Sequence, residues 1–124
     1  MLDASVVLAY LQREPGFEQA RAALGRGGVI SAVNAAEVYG KAAEQGFDVD
    51  GIAIRLAALG LETFPFSEPD ARATAALQAT TRPYGLSLGD RACLALGQRL
   101  GATVLTADRV WTQIETGLTV TAIR

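Results

Sequence analysis

One stretch, residues 86–108, constrains the fold of this chain more than any other part of it. It begins with apolar residues at helical spacing around Ser87, whose hydroxyl can accept backbone N–H bonds as an N-cap. A glycine stop and a short apolar strand follow, and Asp108 comes just beyond the strand. Because Asp90 lies in the first turn of the helix, the pattern predicts two carboxylates near one end of a single layer of helix and strand.

Each of these two acids also has an ordinary structural interpretation. Asp90 occupies the N3 position, where an acid completes a capping box or complements the helix dipole. Asp108 follows a strand, where Asp commonly forms a turn or caps the next helix. The local pattern leaves both interpretations open, and the rest of the chain has to decide between them.

Strands and helices alternate along the remaining sequence. The predicted helices cover residues 4–11, 17–24, 32–43, 50–59, 68–80 and 110–114, and the predicted strands cover 29–31, 61–66, 118–123 and the run before Asp108. This alternation predicts an α/β domain with a mainly parallel central sheet of about four or five strands, flanked by helices. Neither a linker nor a repeat divides the chain, so residues 1–124 are expected to form a single domain.

The first strand is the least complete element of this pattern. If Asp3 ends it, almost none of its length is present, whereas a strand usually has about 5–6 residues. We therefore expect that the chain begins late or that residues upstream of Met1 have been lost, so that the domain lacks part of its first strand.

The composition excludes several kinds of site. No His is present, which removes Ser-His-Asp and Cys-His catalysis and the usual zinc sites built with imidazole. The one cysteine, Cys93, lies on an apolar helix face, which excludes an internal disulfide and favours a buried structural thiol. No apolar run reaches the roughly 20 residues of a membrane span and no signal peptide is visible, so we expect a cytoplasmic protein without a membrane partner.

Four acidic side chains follow strands or lie in the early turns of the next helices: Asp3, Glu37, Asp90 and Asp108. In a parallel sheet the binding crevice lies beyond the carboxyl ends of the strands, so these side chains are expected to converge there. Clustered carboxylates repel one another unless a cation compensates, and Mg²⁺ prefers carboxylate and water oxygens. Such an ion can activate water for attack on phosphorus. Ser5 and Thr106 either hold these carboxylates by hydrogen bonds or only cap a helix and a strand end.

Four segments of the chain match a known family in sequence and in order: residues 2–11, 34–38, 86–95 and 105–111. Together they resemble the PIN domains, and among these the VapC-type toxins of bacterial toxin–antitoxin pairs, over nearly the whole chain. A single Asp-x-Ser motif is weak evidence of a family, whereas four such segments in the right order are strong evidence. Two features depart from the family pattern, because the hydrophobic run before Asp3 is missing and Asn34 stands where Ser or Thr is common.

The resemblance implies a three-layer α/β/α fold and a metal-dependent ribonuclease. It assigns the binding of Mg²⁺ or Mn²⁺ to Asp3, Glu37, Asp90 and Asp108, with Ser5 or Thr106 in support. It implies that a metal-activated water cleaves single-stranded or loop RNA, in toxins often a tRNA or rRNA loop, and leaves a 5′-phosphate. It also implies a homodimer and a cognate antitoxin whose C-terminal segment covers the active site.

The basic residues add little on their own. The formal net charge is −2, so RNA binding requires a local basic face, and ten of the eleven basic residues are Arg, with Lys41 the only lysine. Arg91 and Arg109 each follow a site acid and can meet RNA phosphate or an antitoxin carboxylate, although such residues are often only solvated. Arg82 is a weaker candidate for the same contacts.

Two other functions fit parts of the sequence. A small phosphatase with an Asp nucleophile needs a second Asp two residues beyond Asp3 and a late Lys, but Ser5 and the early Lys41 stand against it. A catalytically silent α/β module that binds RNA or a protein partner remains the alternative to a nuclease.

Among the aromatic residues, Trp111 is expected in the core beneath the loop at Asp108. Tyr10, Tyr39 and Val38 are expected in the core or at a dimer interface.

Overall fold

The computed structural model describes the whole chain, Met1–Arg124. Its α-helices are α1 (Ala4–Gln12), α2 (Phe17–Gly25), α3 (Ala32–Glu44), α4 (Val49–Ala58), α5 (Glu68–Ala76), α6 (Gln78–Thr81) and α7 (Leu88–Leu100). Its strands are β1 (Val29–Ser31), β2 (Glu62–Phe64), β3 (Val104–Thr106) and β4 (Val120–Ala122), and two 3₁₀ turns cover Arg82–Tyr84 and Arg109–Gln113. None of the helices is long and apolar enough to cross a bilayer.

The sheet is built from two parallel strand pairs and the first residues of the chain. β1 pairs with β2, and β3 pairs with β4. Residues 1–3, here called the N-terminal segment, lie between the two pairs. The Leu2 N–H donates to the Val29 carbonyl at 2.8 Å, and the Asp3 N–H donates to the Leu105 carbonyl at 2.9 Å. The order β2, β1, N-terminal segment, β3, β4 confirms the predicted mainly parallel α/β sheet.

Side chains on the two faces of the sheet pack into separate cores. Leu2 and Ile30 belong to a larger core formed with α1–α4, whereas Met1 and Val104 belong to a smaller core formed with α7 and Trp111. Successive side chains of a strand point to opposite faces, so the sheet lies between two helical layers. This is the three-layer α/β/α arrangement that the family resemblance implies.

Several residues predicted to be structural are buried in these cores. Trp111 and Cys93 are both essentially inaccessible, which confirms a packing role for the indole and a buried thiol. Val38 is fully buried and is therefore a core residue. Tyr10 and Tyr39 are partly buried and pack against the larger core.

α7 forms as its sequence predicts. The Asp90 N–H donates to Ser87 Oγ at 3.2 Å and the Ser87 N–H donates to the Asp90 carboxylate at 2.9 Å, which completes a capping box. Gly101 is the C-cap residue of the helix and has a positive φ of 59°. In this conformation its N–H donates to the Gln98 carbonyl in the last turn. Because α7 packs on β1 and β3, the capping box fixes Asp90 at one edge of the sheet.

The elements differ from the predicted ones in three respects. The predicted helix 110–114 is the 3₁₀ turn Arg109–Gln113. β2 and β4 have three residues each and are shorter than the predicted strands 61–66 and 118–123. The predicted helix 68–80 divides at Leu77 into α5 and α6. The Thr74 and Thr81 hydroxyls each donate at 2.7 Å to a carbonyl four residues earlier, and such bonds bend and weaken helices.

Gly97 provides a test of the packing between α7 and β3. A β-carbon at this position would lie 2.7 Å from a methyl carbon of Val104, which is fully buried. We expect Gly97→Ala to lower the free energy of unfolding by about 1–3 kcal/mol, measured by urea denaturation, because overpacking forces neighbours apart. Gly25→Ala is the matched control, since Gly25 lies in open space at the end of α2. Equal stability of the two variants would contradict the tight contact.

Candidate active site

Asp3 is the most constrained acid in the structure. It lies at the N-cap position of α1, but its carboxylate makes no capping bond and is only 4% exposed. Instead, Oδ2 accepts a hydrogen bond from Ser5 Oγ at 2.6 Å and one from Thr106 Oγ1 at 3.3 Å. The two hydroxyls that the sequence singles out therefore both lie against the Asp3 carboxylate.

These two hydroxyls also accept bonds from the backbone that follows β3. Ser5 Oγ accepts from the Ala107 N–H at 2.9 Å, and Thr106 Oγ1 accepts from the Asp108 N–H at 3.1 Å. Each hydroxyl thus donates one hydrogen bond to the Asp3 carboxylate and accepts one from a backbone N–H. The capping role and the role of holding a carboxylate, which sequence alone leaves as alternatives, coexist in the structure.

Glu37 is held in place by residues that the sequence analysis did not assign to the site. Asn34 is fully buried, and its Nδ2 donates to Glu37 Oε2 at 3.2 Å and to the Gly89 carbonyl at 2.9 Å. A β-carbon on Gly89 would collide with the Glu37 carboxylate. Asn34 and Gly89 therefore bring α3 and the first turn of α7 close enough for Glu37 and Asp90 to share one cleft.

The sequence contained only weak signals for these two residues. Asn34 stands out in the sequence only as a departure from the family pattern. Gly89 stands out only because it precedes Asp90. Neither signal identifies the contact itself, because the two residues are 55 positions apart. Only the packing of α3 against α7 brings them together.

Three of the four predicted acids line the same cleft, whose volume is about 360 Å³. They are Asp3, Glu37 and Asp90, and Ser5 lies beside them. Each carboxylate has one oxygen fixed by a hydrogen bond from the protein and a second oxygen that takes part in none. Three carboxylate oxygens of residues that line the cleft therefore make no hydrogen bond within the chain.

The electrostatics of the cleft are unfavourable without a counter-charge. The pKa of Asp3 is raised from its ordinary value of 3.8 to about 6. Burial is the largest cause, the negative charges of Asp90 and Glu37 add to the rise, and the Ser5 hydrogen bond opposes it. A cation at this position would relieve both the desolvation and the repulsion. The site therefore favours a bound positive charge.

The donor set fits a hard divalent ion. All the candidate ligands are oxygens, and neither His nor an accessible thiol is present. No three acidic side chains lie close enough together to hold an ion by themselves. This arrangement suits Mg²⁺, which keeps several waters and is usually held by one or two carboxylates.

Asp108, the fourth predicted acid, does not line this cleft. It is exposed, and its Oδ1 accepts from the Val110 N–H at 3.0 Å as the N-cap of the second 3₁₀ turn. Its link to the cleft runs through Thr106, which bonds the Asp108 N–H on one side and Asp3 on the other. In this structure Asp108 therefore has a capping role.

The two predicted arginine contacts also lie outside the cleft lining. Arg91 is half-buried and donates to the Thr74 carbonyl at 3.3 Å, so it links α7 to α5. Arg109 is exposed, and its Nε donates to the Arg124 carbonyl at 2.7 Å, which ties the second 3₁₀ turn to the end of the chain. Both guanidinium groups therefore have partners within the chain.

Comparison with known families settles the fold family. The family model described as the PIN domain matches residues 1–116. The chain belongs to the PIN domain family. A search of curated protein sequences gives no significant match.

Solved structures support the same fold for this PIN domain. A toxin–antitoxin complex from Klebsiella pneumoniae contains a chain with 19% identity and a TM-score of 0.77, with 99% of this chain and 96% of that chain covered. VapBC2 from Rickettsia felis, bound to a promoter DNA fragment, contains a chain with 16% identity and a TM-score of 0.72, with 98% of this chain and 96% of that chain covered. VapBC-1 from nontypeable Haemophilus influenzae contains a chain with 17% identity and a TM-score of 0.70, with 99% of this chain and 96% of that chain covered. At these identities the comparisons establish the fold.

The raised pKa of Asp3 predicts a specific dependence of stability on pH. Because the folded pKa of about 6 exceeds the ordinary 3.8, the contribution of Asp3 to stability is most favourable below pH 3.8, declines as pH rises to about 6 and then levels off. In chelator, Asp3→Asn should lack this decline and gain about 3 kcal/mol over the natural chain between about pH 4 and 7. Urea denaturation across this range measures the difference.

Added Mg²⁺ serves as the control for this prediction. A ligand that binds only the folded state stabilises it, so excess Mg²⁺ should stabilise the natural chain at neutral pH and narrow its gap to Asp3→Asn. A gap that stays constant across the pH range in chelator would show that Asp3 is not the group that titrates.

Proposed function

We propose that this PIN domain is a metal-dependent endoribonuclease and the toxin of a toxin–antitoxin pair. The observation that carries the proposal is the cleft itself, where Asp3, Glu37 and Asp90 from three different elements each present one fixed and one free oxygen. An arrangement that serves only helix capping would not bury Asp3 next to two other acids, because that burial disfavours its ionised form.

The residues of the chain have distinct parts in the proposed reaction. Asp3, Glu37 and Asp90 would hold Mg²⁺ or Mn²⁺, one or two of them directly and the others through waters that the ion keeps. When bound, the ion supplies a Lewis acid that activates water for attack on a phosphodiester and stabilises the leaving oxygen. Ser5 and Thr106 keep the Asp3 carboxylate in one orientation, and Asn34 does the same for Glu37. Preorganised ligands of this kind reduce the reorganisation that catalysis requires.

RNA is the substrate that the family resemblance supports, and the form of the cleft agrees with it. The cleft is open to solvent and is lined by residues of α1, α3 and α7, with Glu37 exposed and Asp3 buried, so an unpaired strand or loop can enter it. Since His is absent, acid–base catalysis by imidazole is not available to this chain. A metal-assisted hydrolysis is therefore the mechanism that its residues can perform.

A cognate antitoxin and a second copy of the chain are the proposed protein partners. The structural neighbours include a toxin–antitoxin complex and two VapBC proteins, and each match covers nearly the full length of this chain. Purification of the tagged chain from its native cells, followed by mass spectrometry of the co-purified proteins, tests the antitoxin. Sedimentation of the purified chain tests the homodimer.

Cleavage of a labelled structured RNA pool tests the proposed activity directly. We expect cutting with Mg²⁺ or Mn²⁺ and none with chelator. Asp90→Asn and Glu37→Gln should each lower the rate at least about 100-fold, because each removes a charged ligand from the cleft. Both changes are isosteric, so their melting temperatures should stay close to that of the natural chain.

Asp50→Asn is the matched control, since Asp50 is an exposed acid on α4 outside the cleft. It should leave the rate unchanged. A folded chain that binds Mn²⁺ but cuts nothing would restrict the substrate to a very narrow target. A folded chain that neither binds Mn²⁺ nor cuts RNA would refute the nuclease and favour the silent binding module.

Asp108 gives a separate prediction. Asn replaces Asp well at an N-cap, so Asp108→Asn should keep the second 3₁₀ turn and the stability of the fold. Because the Asp108 carboxylate lies outside the cleft lining, the variant should retain clearly more activity than Asp90→Asn in the same RNA assay. A loss as large as that of Asp90→Asn would place Asp108 among the metal ligands, as the family resemblance implies.

A further inference from the structure

One face of α3 lines the cleft beyond the acids. Four residues at helical positions i, i+3, i+4 and i+7 form this face, and all four are exposed: Glu37, Gly40, Lys41 and Glu44. The buried residues of the helix lie beside this face: Asn34, Ala35, Val38 and Ala42. Glu37 is held by Asn34 at the start of the face, whereas the part from Gly40 to Glu44 is exposed and continuous with the candidate active site.

Lys41 is the one basic residue that lines the cleft, and it is also the only lysine of the chain. Its Nζ lies 3.7 Å from a carboxylate oxygen of Glu44, and both side chains are more than half exposed, at 59% and 72%. An exposed pair with this geometry contributes little to stability. The Lys41 ammonium forms no salt bridge with Glu37, although the i, i+4 spacing permits one.

Gly40 is unexpected in the interior of α3. Glycine weakens a helix interior relative to alanine, and Gly40 is not among the glycines with positive φ. An added β-carbon would meet no atom within 4 Å, so no contact within the chain requires glycine there. Its bare backbone beside Lys41 leaves room for something outside the chain to approach the helix closely.

We propose that Lys41 binds a phosphate of the RNA backbone, and that Gly40 allows the strand to lie against α3 beside it. The proposal rests on the proposed nuclease function and adds the path of the substrate. RNA entering a cleft lined by carboxylates meets repulsion, and Lys41 is the lining residue that can offset it. The ammonium acts as a point charge on a flexible stem, which suits a phosphate contact without base specificity.

Binding of a short, fluorescein-labelled single-stranded RNA of random sequence tests this contact. The measurement is fluorescence anisotropy with Mg²⁺ over a series of salt concentrations, using chains that also carry Asp90→Asn so that the RNA stays intact. The variants are Lys41→Met, Lys41→Arg, Glu44→Gln and Gly40→Ala. Arg72→Met is the matched control, because Arg72 is an exposed basic residue on α5, paired with Glu68 and outside the cleft.

The variants should change the affinity for RNA in different directions. Lys41→Met should weaken binding several-fold and lower the slope of log K against log salt by about 0.7, the value for one phosphate contact on a single strand. Lys41→Arg should retain the slope, and Glu44→Gln should tighten binding because it releases the ammonium. Gly40→Ala should raise the urea midpoint yet weaken RNA binding, a combination that a purely structural glycine cannot produce.

The outcomes separate this inference from the proposed function. If the natural chain cuts RNA with Mg²⁺ but Lys41→Met matches Arg72→Met in affinity and slope, the nuclease stands and the phosphate contact is refuted. A Gly40→Ala variant with unchanged affinity refutes the close approach at α3. If the natural chain neither binds nor cuts RNA under any condition, both the proposed function and this inference are refuted.

Discussion

The burial of the Asp3 carboxylate is the constraint on which the rest of the site depends. The carboxylate follows the central segment of the sheet, and strands on both sides remove it from solvent. Two hydroxyls, from Ser5 and Thr106, compensate only one of its oxygens. Burial without full compensation raises the pKa and leaves an oxygen that gains from a cation. The acid is therefore held in an environment that the fold alone does not make favourable.

Asp90 both caps a helix and lines the cleft, so its capping role does not exclude the role proposed for it. One of its oxygens closes the capping box at the start of α7, and that bond also fixes where the other oxygen points. Glu37 follows the same logic with an amide in place of a backbone donor. A carboxylate that caps a helix with one oxygen keeps a second oxygen for a ligand. An acid at N3 can therefore have a structural and a functional role together.

The sequence predicts the local features and misses those that depend on contacts between distant residues. Ser87, Gly101 and the alternation of strands and helices are readable because caps and periodicity are properties of neighbouring residues. The contact of Asn34 with Gly89 is not readable, since two helices from separate parts of the chain create it. The position of Arg91 next to Asp90 suggests a contact with RNA or an antitoxin, but its guanidinium donates to the Thr74 carbonyl of α5. Strand ends place acids near one edge of the sheet without fixing which of them share a cleft, which is why Asp108 lies apart.

The position of the N-terminal segment has a consequence for how the protein is made. Residues 1–3 lie in the middle of the sheet, and Asp3 is held there through bonds to Leu105 and Thr106. During synthesis the first residues leave the ribosome long before their neighbours exist, so the centre of the sheet can close only when the last strands have emerged. The acid cleft therefore forms only after β3 has been made. A partial chain that ends before β3 carries Asp3 but lacks the strand and the Thr106 hydroxyl that hold it, so the activity proposed for the cleft requires that this strand is present.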